Sequence, residues 1–296
     1  MADDKIKLHG FLVQRSLNRI DEDCYSTDFQ SQPSSSLWII VHGVNGNFYG
    51  STLLTDLAHT ALLANHDALL VNTRGHDLAT FGSAEFPARL GSMYESLGDA
   101  YRDLQAWTAF AHSLNYSQVG IIAYSLGAVK TTYVAAHHSL DVNRIVALSP
   151  PRLNTELLLT DPEKQKIFQK HLELANHWCE QGEPHHIIRV RFPMANWVSA
   201  STYIDRYGNG NKYDYLGWAT KIQIPTLWMF GEIEVRKGSV NFKHADHALE
   251  EQFQATSDGK SKRLHRTIVI PDADHSYNAS RKALSKSLLT WITSPD

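Results

Sequence analysis

Short apolar runs recur along this chain, each closed by a polar or turn-forming residue and followed by an amphipathic stretch. Residues 37–42 (LWIIVH), 67–72 (DALLVN), 118–124 (QVGIIAY), 143–148 (NRIVAL), 225–230 (PTLWMF) and 265–270 (HRTIVI) have this form. Runs of this length, rich in Ile, Val and Leu and without polar alternation, suit strands buried on both faces. Between them, residues 51–64, 96–112, 126–138, a stretch near 241–254 and 279–292 read as helices. In the first of these, Leu53, Leu54, Leu57, Ala61 and Leu62 share one face. An early strand is expected over 5–14, and a solvated loop over 31–36 (SQPSSS).

Strands alternating with helices predict an α/β fold, a mostly parallel central sheet with helices on both faces. The rhythm lapses once. Residues 152–220 carry helical charge patterns and then an aromatic, strand-poor stretch. The expected organisation is therefore a core of 1–151 and 221–296, with 152–220 as an inserted helical lid, or cap.

A chain of 296 residues has room for one large α/β domain. Its net charge of −3 gives no strong pull toward nucleic acid. The start, MADDKIKLHG, lacks an apolar signal core, and no apolar run approaches the ~18 residues of a membrane span. A cytoplasmic protein acting on a small molecule is the expectation. Cys24 and Cys179 are far apart and in no metal or redox spacing, so both read as free thiols. The 16 histidines invite a metal reading. Yet His137-His138 and His185-His186 are adjacent pairs that point apart, and His244 and His247 find no third ligand at a suitable spacing. No metal and no organic cofactor is implied.

In open α/β sheets, ligands bind beyond the carboxyl ends of the strands. The residues just past each strand are therefore the informative ones. After 37–42 comes a glycine-rich turn, Gly43 to Gly50. Arg74 and His76 come after 67–72, and are read as ordering the loop beside a pocket. Ser125 follows 118–124, Gly231-Glu232-Ile233-Glu234 follows 225–230, and Asp274-His275 falls shortly after 265–270. A serine, an acid and a histidine thus occur in that chain order, each at a strand end.

With these residues the chain resembles the α/β-hydrolase superfamily over nearly its whole length. Ala123-Tyr124-Ser125-Leu126-Gly127 is similar to the nucleophile elbow, with Ala where the first glycine is usual. The resemblance implies a serine esterase with a catalytic triad: Ser125 as nucleophile, His275 as base, and Glu234 as the acid in a Gly-x-x-acid pattern. Glutamate is less common there than aspartate. Glu232 is the rival acid, and Asp274 a poorer one. It also implies an oxyanion hole made by the backbone N–H groups of Val44 and Leu126, with His42 shaping that loop.

The substrate expected is a carboxylic ester, a lactone or a thioester. Phe48 and Tyr49, just after the oxyanion loop, Tyr124 beside the serine, and Trp197 and Tyr203 in the aromatic stretch are the pocket candidates. Tyr207, Tyr213 and Tyr215 belong to the same stretch. Acyl transfer, carbon–carbon bond hydrolysis and a non-catalytic ligand receptor on the same fold stay open as alternatives.

Overall fold

The computed structural model describes residues 2–15, 35–83, 85–208, 210–256 and 263–294. The expected loop at 31–36 and Cys24 lie wholly or largely outside these residues. Along the chain run β1 (Gly10–Val13), β2 (Ser36–Val41), α1 (Thr52–Leu63), β3 (Asp67–Val71), β4 (Thr80–Phe81) and β5 (Arg89–Leu90). Next come α2 (Asp99–Ser113), β6 (Gln118–Tyr124), α3 (Leu126–His137) and β7 (Arg144–Leu148). The segment between β7 and the next core strand holds α4 (Thr155–Leu158), α5 (Pro162–Glu180), β8 (Ile187–Val190), β9 (Asn196–Ser199) and α6 (Ala200–Tyr203). The core resumes with β10 (Thr226–Gly231), α7 (Glu232–Lys237), α8 (Ala245–Ala255), β11 (His265–Ile270) and α9 (Arg281–Thr293).

Seven strands form one sheet in the order β1-β3-β2-β6-β7-β10-β11. Only β1 runs antiparallel to its neighbour. Side chains alternate across the sheet with the period of two that strands impose. Leu37, Ile39 and Val41 pack toward α2 and α3, whereas Trp38 and Ile40 pack toward α1 and α9. Burying each such side chain contributes roughly 2 kcal/mol. The chain leaves β2 for β3 on one side, then crosses back to β6 on the other. The carboxyl ends of β2 and β6 therefore flank the switch point where α/β sheets open a crevice.

The structure departs from the sequence reading in two places. The early strand is shorter than 5–14, because only Gly10–Val13 pairs with β3. The segment 152–220 is not purely helical: β8 and β9 form an antiparallel hairpin, with Ile188 opposite Val198. That segment packs directly on the core. Its Phe168, Ile188, Val198, Tyr203 and Tyr215 belong to the same continuous apolar cluster as the α2–α3 face of the sheet.

Candidate active site

The turn from β6 into α3 is tight. Ser125 adopts φ 54° and ψ −124°, a conformation a non-glycine residue holds only when its surroundings enforce it. The enforcement is steric. A Cβ on Gly127 would stand 2.3 Å from the carbonyl oxygen of His42, so α3 passes against the β2 turn only with glycine there. Ala123 is fully buried in the other small position. Ser125 accepts no capping hydrogen bond from α3. Its hydroxyl instead lies 3.1 Å from Nε2 of His275.

His275 follows β11, and its Nδ1 is 2.5 Å from Oε1 of Glu234. A carboxylate oxygen accepts, so Nδ1 carries the proton and Nε2 is free to accept from Ser125. Glu234 stands at the third position of α7, where one helical turn carries it inward to 3% exposure. Its Oε2 accepts from the Gly231 N–H at 3.0 Å and the Ser149 hydroxyl at 2.6 Å. Since Ser149 gives its proton to Glu234, the buried Tyr277 hydroxyl, 2.7 Å away, donates to Ser149. The imidazole of His275 sits beside the rings of Tyr124 and Phe242, with centroids at 5.1 Å and 4.8 Å. The Tyr124 hydroxyl also donates to the His275 carbonyl at 2.9 Å. Such a chain of serine, imidazole and carboxylate can take a proton from the hydroxyl as it attacks a carbonyl.

The rival acids go elsewhere. Glu232 is exposed and accepts from the Asp272 N–H at 3.0 Å. Asp274 is exposed, and its backbone carbonyl accepts from the Tyr277 N–H at 3.2 Å.

The β2 turn is set from below. His42 is buried, with Nδ1 2.8 Å from the Gly43 carbonyl and Nε2 accepting from the Thr73 N–H at 3.1 Å. Nδ1–H therefore donates to Gly43. Burial, reinforced by nearby Lys130, lowers the pKa of His42 to about 3 and keeps it neutral. The Gly43 carbonyl and the Val44 N–H belong to one planar trans peptide and point in opposite directions. Fixing the carbonyl therefore aims the Val44 N–H. Leu126, at the first position of α3, has an N–H without an intrahelical acceptor. Both residues line the cavity above Ser125.

That cavity has a volume of about 410 Å³. His42, Gly43, Val44, Tyr124, Ser125 and His275 line it from the core, and Leu153, Pro193, Met194, Arg206 and Tyr207 from the inserted segment. Of the aromatic candidates from sequence, Tyr124 lines it and four do not. Phe48 packs into the α1 side of the core. Tyr49 is 63% exposed and donates to Asp77 at 2.5 Å. Trp197 lies on the outward face of β9, 48% exposed under Arg189. Tyr203 is wholly buried against Phe168 and Tyr207. Tyr213 and Tyr215 are likewise buried, leaving Tyr207 as the tyrosine this segment gives the cavity.

Arg74 pairs with Asp103 at 2.9 Å and Asp4 at 2.7 Å, and His76 with Asp77 at 2.7 Å; both brace the loop after β3. Sequence reasoning does not single out Met194, Arg206, Phe242 or Ser149. For Ser149 a signal exists, because a serine ends β7 just before Pro150-Pro151. Among the described residues no group of three or more His, Cys, Asp or Glu could hold a metal ion. Nor is any helix of the described residues long and apolar enough to cross a membrane.

A family model described as the alpha/beta hydrolase fold matches residues 39–190, just over half of the chain. The chain belongs to the alpha/beta hydrolase fold family. Solved structures agree on the fold of this α/β hydrolase. It is similar to Est1E from Butyrivibrio proteoclasticus, solved with ferulic acid bound, at 15% identity and a TM-score of 0.63, covering 97% of this chain and 94% of that one. It is similar to a Pyrococcus furiosus esterase at 14% identity and a TM-score of 0.61, covering 99% and 88%. A monoacylglycerol lipase from Paleococcus ferrophilus matches at 12% identity and a TM-score of 0.60, covering 97% and 99%. A search of curated proteins finds no sequence match.

Proposed function

We propose that this α/β hydrolase cleaves a carboxylic ester, lactone or thioester with Ser125 as nucleophile, His275 as general base and Glu234 as the acid. The observation that carries the reading is the unbroken hydrogen-bond chain from Ser125 through His275 to Glu234, with Ser125 and His275 lining a cavity of about 410 Å³. The solved structures it is similar to include proteins titled esterase and lipase, which is consistent with this chemistry.

In the proposed reaction Ser125 Oγ attacks the substrate carbonyl carbon while its proton passes to His275 Nε2. Glu234 stabilises the imidazolium that results. The developing oxyanion is held by the N–H groups of Val44 and Leu126, each contributing about 3 kcal/mol of transition-state stabilisation. The tetrahedral intermediate collapses, and the leaving group departs with the proton from His275. Water then attacks the acyl-enzyme, with His275 again taking a proton. The segment 152–220 serves as the lid of this site, a role supported by the five residues named above that it contributes to the cavity wall.

The test is covalent labelling by a fluorophosphonate alongside turnover of short-chain esters. Wild type is labelled at Ser125 and turns over ester; Ser125→Ala does neither and keeps its circular dichroism. Folded wild-type protein that is not labelled overturns the reading.

A further inference from the structure

Among the described residues lining the cavity, Arg206 is the one cation whose charge does not depend on pH. It sits on a π-helical turn, Ile204–Gly208, a geometry often found at functional sites. The side chain is almost wholly buried, at 5% exposure. One arm of its guanidinium, Nη2, donates to the Ser92 carbonyl and to Glu95 Oε1, both at 3.1 Å. Its Nε is buried and donates to nothing among the described residues.

Glu95 does not balance this charge alone, because it is already shared. Its Oε2 accepts from the buried Lys130 at 2.9 Å, so two cations contact one carboxylate. The neighbouring Asp205 is engaged by Lys212 and Tyr213. A buried arginine with an idle donor and half a counter-charge is costly unless something else completes it. Tyr207, next in sequence, also lines the cavity, and its phenol oxygen interacts with the guanidinium. Pro151, Leu153, Pro193 and Met194 add apolar wall, and Ser239 and Asn241 add polar atoms to it.

On the reading that Ser125 attacks an ester, we infer that Arg206 selects substrates carrying a carboxylate remote from the scissile bond. The carboxylate lies at the Arg206 end of the cavity and supplies the counter-charge that the shared Glu95 leaves incomplete, while the ester carbonyl lies at Ser125. A planar carboxylate matches a planar guanidinium better than any neutral polar group does. Half-esters of dicarboxylic acids are the simplest members of the class.

The experiment compares para-nitrophenyl valerate with the para-nitrophenyl half-ester of glutaric acid, matched in acyl length. Wild type favours the glutarate half-ester in kcat/KM. Arg206→Gln lowers the glutarate-to-valerate ratio about 30-fold, the size expected for losing a charged hydrogen bond, with the change in KM. Arg206→Lys, which keeps a cation beside Glu95, recovers part of the ratio. A second arm needs no turnover: free glutarate slows fluorophosphonate labelling of Ser125 in wild type, glutaramide does not, and Arg206→Gln removes the protection. A labelled wild type that prefers valerate, or variants that weaken both esters equally, overturns the inference and leaves the hydrolase reading standing. Folded wild-type protein that is not labelled overturns both.

Discussion

The cavity has two walls, and they are built differently. The core wall comes from the ends of β2, β6, β7, β10 and β11, where backbone register and close packing leave each side chain one position. Ser125 N–H donates to Leu148 at 2.8 Å and Ser149 N–H to Met229 at 2.7 Å, so adjacent strand ends are tied as they turn into the site. The wall from 152–220 comes from Leu153, the loop bearing Pro193 and Met194, and a π-helical turn. Its residues are chosen by how that segment folds over the sheet. The first wall carries the proposed chemistry and the second the proposed selectivity. The two should therefore respond differently to substitution, in kcat on one side and in KM on the other.

The hardest test of the core wall is the acid. Glu234→Gln keeps the shape but cannot stabilise an imidazolium, and kcat for any ester should fall roughly ten-thousand-fold. Glu232→Gln only replaces an exposed carboxylate by an amide that can still accept from Asp272 N–H, and should leave kcat within about twofold of wild type. If the two effects are exchanged, the assignment of the acid is wrong and with it the account of α7.

His42 offers a test on stability. The fold holds this imidazole neutral down to about pH 3, whereas an ordinary histidine protonates below 6.5. Between those values the unfolded chain binds a proton that the folded chain refuses, so stability falls as pH drops through the interval. His42→Gln should flatten the loss of unfolding free energy between pH 7 and pH 5 by about 2 kcal/mol, read from urea midpoints. His265, also buried and with its pKa lowered to about 4, adds its own slope in both proteins and cancels in the difference. An unchanged slope would mean that His42 titrates freely and does not lock the Gly43 peptide.

Ser149→Ala should act more mildly. Glu234 keeps the Gly231 N–H and His275 but loses its 2.6 Å hydroxyl donor. A lost bond to a charged acceptor corresponds to a drop of about tenfold in kcat, with KM little changed. A rise in KM instead would place Ser149 in substrate contact.

These contrasts also explain what could be read from sequence. Strand runs and their closing residues are local signals, and they make candidates of Ser125, His275, the Gly43 turn and the small positions Ala123 and Gly127, whereas Ser149, also at a strand end, is not singled out. The Gly-x-x-acid pattern of the resembled family put Glu234 ahead of Glu232, and the phase of α7, which begins at Glu232 and turns its third residue inward, gives the physical reason. The links from Glu234 to Ser149 and on to Tyr277 join elements far apart in sequence, and no local pattern announces them. The inserted segment was least legible. Its aromatic residues look alike in sequence, yet Tyr203 became core, Trp197 surface and Tyr207 cavity wall, because β9 alternates its faces and the π-helical turn shifts the facing of the residues it carries.

The smallest effects fall within that segment, and they separate its lining residues from its bystanders. Met194 and Trp197 are three residues apart and similarly exposed. Met194 lines the cavity and Trp197 does not. Met194→Ala removes apolar surface from the substrate's side, and forfeiting about 1 kcal/mol of contact should raise KM for a valerate ester about fivefold at constant kcat. Trp197→Ala loses only a ring stacked under Arg189 and should change kcat/KM by less than about twofold. Equal effects from the two would mean that the segment acts as a unit, shifting whenever its surface is disturbed. Unequal effects in the expected order would mean that selectivity resides in the individual side chains that face Ser125.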